Sequence, residues 1–216
     1  MTIKTEELIN SLAQDSTVVK QLQSPLRLSF YLLGILIIYA VVTGFTIGIR
    51  EDLLTQLGRP FFIAEISLLL LTIFSSVLAA MFLLFPDGYQ KKGVLYWPLY
   101  SLCAFILIMA VQVFFPLDSR MVIPTGKVHS MECTICIASI TIIPSALMFV
   151  LLRKGASVYP FLSGVYAMIL SSGVGCLMLR LSEADDSLIH LALWHYIPIL
   201  LFAVIGAFIG KIFLKW

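Results

Sequence analysis

Long apolar runs separated by short polar stretches dominate this chain. A helix that crosses a bilayer needs roughly 20 apolar residues, because the hydrocarbon core is about 30 Å thick and each residue adds about 1.5 Å. Six runs reach this length, and they cover residues 28–49, 61–85, 94–115, 133–152, 161–181 and 191–214. Barrel strands are shorter and alternate in polarity. The pattern therefore predicts an all-α polytopic membrane protein with six transmembrane helices.

The composition agrees with this prediction. Of the 216 residues, 60% are hydrophobic and 12% are charged, whereas a soluble domain carries about 25% charged residues. A core of this size cannot hide so much apolar side chain from water, so the lipid bilayer must cover the remainder. The formal net charge of +2 is too small to indicate a nucleic-acid surface, and no direct contact with nucleic acid is expected.

The loops on the two predicted sides of the membrane differ in charge. With the N-terminus in the cytoplasm, the inner Lys and Arg residues are Lys4, Lys20, Arg27, Lys91, Lys92, Arg153, Lys154, Lys211 and Lys215. The outer ones are Arg50, Arg59, Arg120, Lys127 and Arg180. Cytoplasmic loops carry an excess of basic residues. Both termini are therefore predicted inside, with residues 1–27 as a cytoplasmic partner-binding segment and residues 28–216 as the six-helix transmembrane domain.

The cytoplasmic segment carries an apolar stripe. Thr5 followed by Glu6 and Glu7 favours a helix start, because a hydroxyl can cap the helix and acids suit its first turn. Apolar residues then recur near one face of a 3.6-residue period. The candidate partner-binding residues are Leu8, Ile9, Leu12, Val19 and Leu22. Two interpretations stay open: a helix that lies on lipid headgroups, or a stripe that docks in a groove of a protein partner.

Reactive side chains collect near the outer ends of the predicted helices. Cys133 and Cys136 share one face at the start of the fourth helix, where the positive helix end favours a thiolate, and Cys176 lies at a similar depth on the fifth. These cysteines are the candidate sensor residues. They are interpreted as inert structural thiols, as a redox-active dithiol, or as part of a Cys/His metal site. The candidate metal ligands are His129, His190, His195 and Glu132.

Several functional classes are disfavoured. The inner halves of the predicted helices contain almost nothing ionisable, which argues against a transporter or proton pump. The chain contains no P-loop, dinucleotide fingerprint, Ser/His/Asp or metalloprotease pattern, so no enzyme and no cofactor is predicted. Gly206 and Gly210 form a small-xxx-small motif, which predicts that the sixth helix packs closely within the bundle.

Several stretches in order along the chain resemble the NrsF-type six-helix membrane anti-sigma factors of proteobacteria. They are the acidic-apolar leader of residues 5–15, the Pro-and-basic entry at residues 24–27, Cys133 or Cys136 with Pro144, the turn at residues 152–156, and the end from Asp186 through Trp194, His195, Gly206 and Gly210 to Trp216. The resemblance covers the whole chain. The last of these stretches is the most specific.

The resemblance implies a function. Members of this family hold an extracytoplasmic-function sigma factor at the bacterial inner membrane through the cytoplasmic leader, and outer-side cysteines are implicated in sensing. The chain is therefore expected to sequester such a sigma factor and to release it on a periplasmic thiol-redox or metal signal. Two alternatives are a membrane thiol oxidoreductase that passes electrons from Cys133 and Cys136 to a quinone, and a structural membrane subunit without a sensing role.

Overall fold

The computed structural model describes residues 5–14, 23–115 and 131–214, and the regular structure within them is entirely helical. A short helix precedes the bundle, and a single turn of helix follows the first span. The helices are α1 (Thr5–Gln14), α2 (Pro25–Ile47), α3 (Leu53–Gln56), α4 (Pro60–Leu83), α5 (Lys92–Phe114), α6 (Met131–Leu152), α7 (Pro160–Ser182), α8 (Leu188–His190) and α9 (Ile197–Phe213).

Six of the described helical segments are long and apolar enough to cross a membrane, which confirms the predicted number of spans. Five are single helices: α2, α4, α5, α6 and α7. The sixth runs over Leu188–Phe213, where the π-helical stretch Leu191–Tyr196 joins α8 to α9.

Several spans begin a few residues before their apolar runs. Pro25, Pro60 and Pro160 are the first residues of α2, α4 and α7. A proline fits this position because its fixed φ suits a helix and its missing N–H would have no intrahelical acceptor there. The apolar runs alone therefore place these helix starts too late by one to three residues.

The fifth span is the centre of the bundle. In its most apolar 18-residue window, 89% of the residues of α7 are buried, against 22% in α2 and 28% in α5. α7 packs against α4, α6 and α9, and makes a smaller contact with α2. The peripheral helices α2 and α5 expose apolar side chains such as Phe30, Phe45 and Leu107. These surfaces suit contact with lipid.

Three glycines bring α7 and α9 into backbone contact. A Cβ on Gly164 would lie 2.0 Å from the carbonyl oxygen of Gly206, and a Cβ on Gly210 would lie 2.3 Å from that of Pro160. Only glycine fits at this separation. The predicted close packing of the Gly206–Gly210 motif within the bundle is thereby confirmed.

The two ends of the bundle are named here by their connections. At the basic-turn end, the turns at residues 84–91 and 153–159 lie side by side, because the amide of Ala156 donates to the carbonyl of Leu84 at 2.9 Å. Lys91 and Arg153 are exposed on these turns. At the opposite, acidic-loop end, residues 48–59 and 183–187 connect the spans and bring buried polar side chains together.

Candidate functional site

A π-helical stretch brings both histidines of the sixth span to the same side of the helix. His190 and His195 are five residues apart and would point about 140° apart around a regular α-helix. The stretch from Leu191 to Tyr196 is π-helical, and its i→i+5 pairing places residues five apart on the same side. The two imidazole centroids are 5.2 Å apart. The π-helical stretch therefore gives the acidic-loop end two convergent histidines.

Four ligand-type side chains meet there, and they are called the donor cluster: Cys133, Glu183, His190 and His195. One ligand atom from each lies within 4.8 Å of all the others. The Cys133 thiol lies 3.5 Å from Glu183 Oε1 and 3.5 Å from His190 Nε2. Glu183 Oε1 lies 3.3 Å from His190 Nε2, and Glu183 Oε2 lies 3.0 Å from His195 Nε2.

The donor cluster is shielded from lipid. Cys133 and His190 are buried, and His195 has no exposed surface. Glu183 is half-buried on the connecting loop. Among the described residues, Nδ1 of neither histidine has a hydrogen-bond partner, although the carboxylate of Asp185 lies 3.9 Å from His190 Nδ1. Both Nε2 atoms face Glu183. Because Glu183 is the least buried of the four residues, its carboxylate is the member of the cluster that is most exposed to solvent.

Glu183 is ionised at neutral pH. Burial raises the pKa of its carboxyl, but the hydrogen bond with His195 and the charges of His195 and His190 outweigh burial, and the pKa lies below its usual value. The cluster therefore presents a carboxylate, a thiol and two imidazoles to a common centre. This combination of oxygen, sulfur and nitrogen ligands is typical of zinc and similar divalent ions.

A buried ionic network adjoins the donor cluster, and it is called the arginine network: Arg50, Asp52, Gln56, Glu65, Arg180 and Asp186. Arg180 donates to Glu65 at 2.8 Å and to Asp186 at 2.7 Å. Arg50 donates to Asp186 at 3.0 Å and to Asp52 at 2.6 Å. Arg180 and Glu65 are almost completely buried. The network thus joins α4, α7 and the segments that follow α2 and α7.

Aromatic and amide groups complete this network. The Tyr196 hydroxyl donates to Glu65, and the guanidinium of Arg180 lies 4.9 Å from the centroid of the Phe62 ring. The Gln56 amide donates to Asp186 at 2.9 Å. Burial raises the pKa of Asp186, but hydrogen bonds from Arg50 and Arg180 and their charges outweigh it, so the net shift is downward. Asp186 therefore stays charged and holds the two arginines together.

The predicted cysteine sensors occupy three different environments. Cys133 belongs to the donor cluster, whereas Cys136 is half-buried beside it and packs near Ile137 and Leu179. Cys176 is fully buried in the apolar core. None of the four cysteines, which all lie in the described part of the chain, forms a disulfide. Their sensing role stays a prediction, and only Cys133 joins the candidate histidines.

The other predicted site residues lie elsewhere. Glu132 is exposed in the first turn of α6 and is outside the donor cluster. His129, Val19 and Leu22 lie outside the described residues. Leu8, Ile9 and Leu12 fall within α1, and the Ile9 side chain is 59% exposed.

Two features of the site were missed by sequence reasoning. Glu183 is not among the candidate ligands predicted from the sequence. The pairing of Arg50 with Asp186 joins residues 136 positions apart. The local signal for this pairing is the presence of an arginine next to the end of a predicted transmembrane helix, because a membrane disfavours unpaired charges.

Six apolar spans with a buried cysteine–histidine–carboxylate cluster at one end define a multi-pass helical membrane protein whose polar chemistry is concentrated at that end. The sequence model of the NrsF family, described as negative regulator of sigma F, matches residues 12–216, and the chain belongs to this family. The resemblance drawn from the sequence is confirmed. The family description is that of a regulator of a sigma factor rather than an enzyme. No curated protein and no solved structure matches the chain.

Proposed function

We propose that this chain is a membrane-bound anti-sigma factor of the bacterial inner membrane with a metal-responsive input. Its N-terminal segment sequesters an extracytoplasmic-function sigma factor, and a thiophilic divalent metal ion in the donor cluster causes release. The family match over residues 12–216 supports the regulatory role. The convergence of four ligand atoms within 4.8 Å is the observation that supports the metal input.

The N-terminal segment is the proposed sigma-binding element. α1 begins with Glu6 and Glu7 in its first turn and exposes Ile9. The described turns at the basic-turn end, residues 84–91 and 153–159, are short and pack against each other. They offer little surface for a protein partner. An amphipathic helix that lays its apolar face into a groove is a common mode of peptide recognition.

Co-purification from native membranes tests this role. We expect a sigma factor to co-purify with the wild-type chain and to be lost from the double variant Leu8→Lys with Leu12→Lys. Burial of each leucine contributes about 1.5–3 kcal/mol, so affinity should fall well over tenfold. The matched control is Asn10→Lys with Gln14→Lys, which adds the same charge elsewhere on the helix. If the leucine double variant retained the sigma factor as well as the control variant does, the segment would not bind through this stripe.

The spacing of the donor cluster fits a metal ion. Zinc lies about 2.0–2.3 Å from nitrogen, oxygen and sulfur ligands, and tetrahedral geometry then separates the ligand atoms by about 3.3–3.6 Å. The separations of Cys133 and Glu183 from His190 are 3.5 and 3.3 Å. These contacts of the Cys133 thiol are with a carboxylate and an imidazole. Asp185 near His190 Nδ1 resembles the outer carboxylate that orients metal-bound histidines.

Metal binding by the purified full-length protein tests the input. We expect one Zn²⁺ or Cd²⁺ ion per chain and a loss of affinity of more than about 100-fold in Cys133→Ser, since losing even an outer-shell partner costs about 10–100-fold. Cys103→Ser is the matched control, because Cys103 is exposed on α5 away from the donor cluster. Zinc affinity that is the same in both serine variants would rule out the cluster as the site.

The proposal includes an orientation with both termini in the cytoplasm. The exposed basic residues of the basic-turn end support it, because cytoplasmic loops are enriched in Lys and Arg. Reporter fusions after Lys92 and after Lys154 should behave as cytoplasmic, and fusions near Lys127 and Asp185 as periplasmic. A periplasmic signal from the Lys154 fusion would place the donor cluster on the wrong side for an extracellular signal.

A further inference from the structure

The loop between α7 and α8 belongs to both polar sites. Glu183 contributes its carboxylate to the donor cluster, and Asp186, three residues later, contributes its carboxylate to the arginine network. Between them, Asp185 accepts a hydrogen bond from the amide of Ser187 at 2.8 Å. Three residues span at most about 10 Å of chain. A movement of Glu183 onto a bound ion would therefore displace Asp186 as well.

Arg50 links the end of α2 to the α7 end and the loop after it in two ways. Arg50 Nη1 lies 3.0 Å from Asp186 Oδ1, and Nη2 lies 3.2 Å from Oδ2, which is a bidentate pair. The backbone amide of Arg50 also donates to the carbonyl of Leu181 at 3.0 Å. Bidentate guanidinium–carboxylate pairs fix orientation as well as distance. The position of the α2 end is thus set by the loop that carries Glu183.

α2 is the element that can carry such a change to the other end of the bundle. It is the least buried of the six spans, with 22% of its most apolar window buried. Its 23 residues extend about 35 Å without interruption, and its first residue, Pro25, follows the N-terminal segment. The Tyr39 hydroxyl donates to the carbonyl of Ile140 at 2.7 Å. This bond holds the middle of α2, so a displacement at the Arg50 end would tilt the helix about this point.

We propose that Arg50 is a positioning residue that, through its pair with Asp186, couples occupancy of the donor cluster to the tilt of α2 and hence to the N-terminal segment. The proposal rests on the metal input proposed above. It assigns a role to the Arg50–Asp186 pair, which lies outside the donor cluster. It also makes α2, rather than the central α7, the moving element.

The test compares two arginines that contact the same carboxylate. Arg59, at the start of α4, lies 3.7 Å from Asp186, whereas Arg50 follows the end of α2 by three residues. Arg50→Gln and Arg59→Gln each remove one positive charge beside Asp186. Hydrogen–deuterium exchange of the full-length protein in nanodiscs, with and without ZnCl₂, reports on residues 5–14 and on the first turn of α2. Zinc affinity is measured on the same samples by competition with a chelator.

In the wild-type protein and in Arg59→Gln, zinc should change exchange in these segments by at least about twofold. In Arg50→Gln, zinc should bind with wild-type affinity and leave this exchange unchanged. Asp186→Asn keeps the side-chain shape, removes the charge, and should behave like Arg50→Gln. A zinc response in Arg50→Gln equal to that of Arg59→Gln would overturn the coupling role alone.

Three other results would also overturn the inference. Loss of the response in both arginine variants would mean that network charge, and not the link to α2, carries the signal. Loss of zinc affinity in Arg50→Gln would mean that Arg50 shapes the donor cluster itself. Failure of the wild-type protein to bind zinc would overturn the proposed metal input, and the coupling with it, which separates this case from the others.

Discussion

Different interactions hold the helices together at the two ends of the bundle. At the basic-turn end, backbones meet directly: Gly164 lies against Gly206, and the amide of Ala156 donates to Leu84. The described charged groups there are exposed, as Lys91 and Arg153 are. At the acidic-loop end, charged and ligand-type side chains are buried and linked to one another through the donor cluster and the arginine network.

This difference separates a fixed end from a responsive end. Backbone packing at glycines changes little with ions or pH, because no ionisable group takes part. Buried charges are expensive in a membrane protein, and where they occur they usually mark a functional site. We therefore expect substitutions at the basic-turn end to change stability alone, whereas substitutions of the donor cluster, Arg50 or Asp186 at the acidic-loop end should also change the response.

The largest effect on stability is expected from breaking the buried ion pair. Arg180→Ala leaves Glu65 buried without its main counter-charge, which should cost about 3–5 kcal/mol of unfolding free energy. Replacing both partners, as in Arg180→Met with Glu65→Leu, should cost much less, because no charge is then left unpaired. Reversible unfolding in mixed detergent measures both. A loss within about 1 kcal/mol for Arg180→Ala would mean that the pair is solvated and does not define this end.

A smaller effect is expected at the glycine contact. Gly206→Ala places a Cβ 2.3 Å from the carbonyl oxygen of Gly164, so α7 and α9 must separate, at a cost of about 1–3 kcal/mol. Gly34→Ala is the control, because a Cβ at Gly34 meets nothing within 4 Å. The same unfolding assay applies. We expect the zinc affinity of Gly206→Ala to stay at the wild-type value, and a change in that affinity would contradict the separation of the two ends.

The smallest effect concerns acid. The pKa values of Glu183 and Asp186 are lower in the folded protein than their ordinary values of 4.5 and 3.8. Each carboxylate therefore stabilises the fold fully above its ordinary pKa, and this contribution is lost as the pH falls through the folded value. The contribution of these two carboxylates to the unfolding free energy should be constant from about pH 7 to 5 and should decline below about pH 4. Asp186→Asn should reduce that slope, and an unchanged slope would argue against a charged Asp186.

The sequence predicts the bundle well because lipid imposes a strong length requirement on each apolar run. The six spans follow from that requirement, and the packing of Gly206 and Gly210 follows from their spacing. The candidate site is predicted only in part. Cys133, His190 and His195 were identified as candidates, but nothing in their spacing indicates the π-helical stretch that aligns the two histidines.

The remaining site residues depend on contacts that no local pattern encodes. Glu183 joins the donor cluster because α6 and the sixth span meet at the end of α7. Arg50 and Asp186 are brought together by the packing of the first span beside the fifth. The partners of these residues are clear only from the three-dimensional arrangement.

The most direct test of the account is sigma-dependent transcription, measured with and without zinc or cadmium at matched protein levels. The reporter promoter should be one that is read by the sigma factor that co-purifies with the chain. We expect metal to induce transcription in the wild type, in Cys103→Ser and in Cys136→Ser, and to have no effect in Cys133→Ser. Unchanged induction in Cys133→Ser would contradict the claim that the donor cluster is the input.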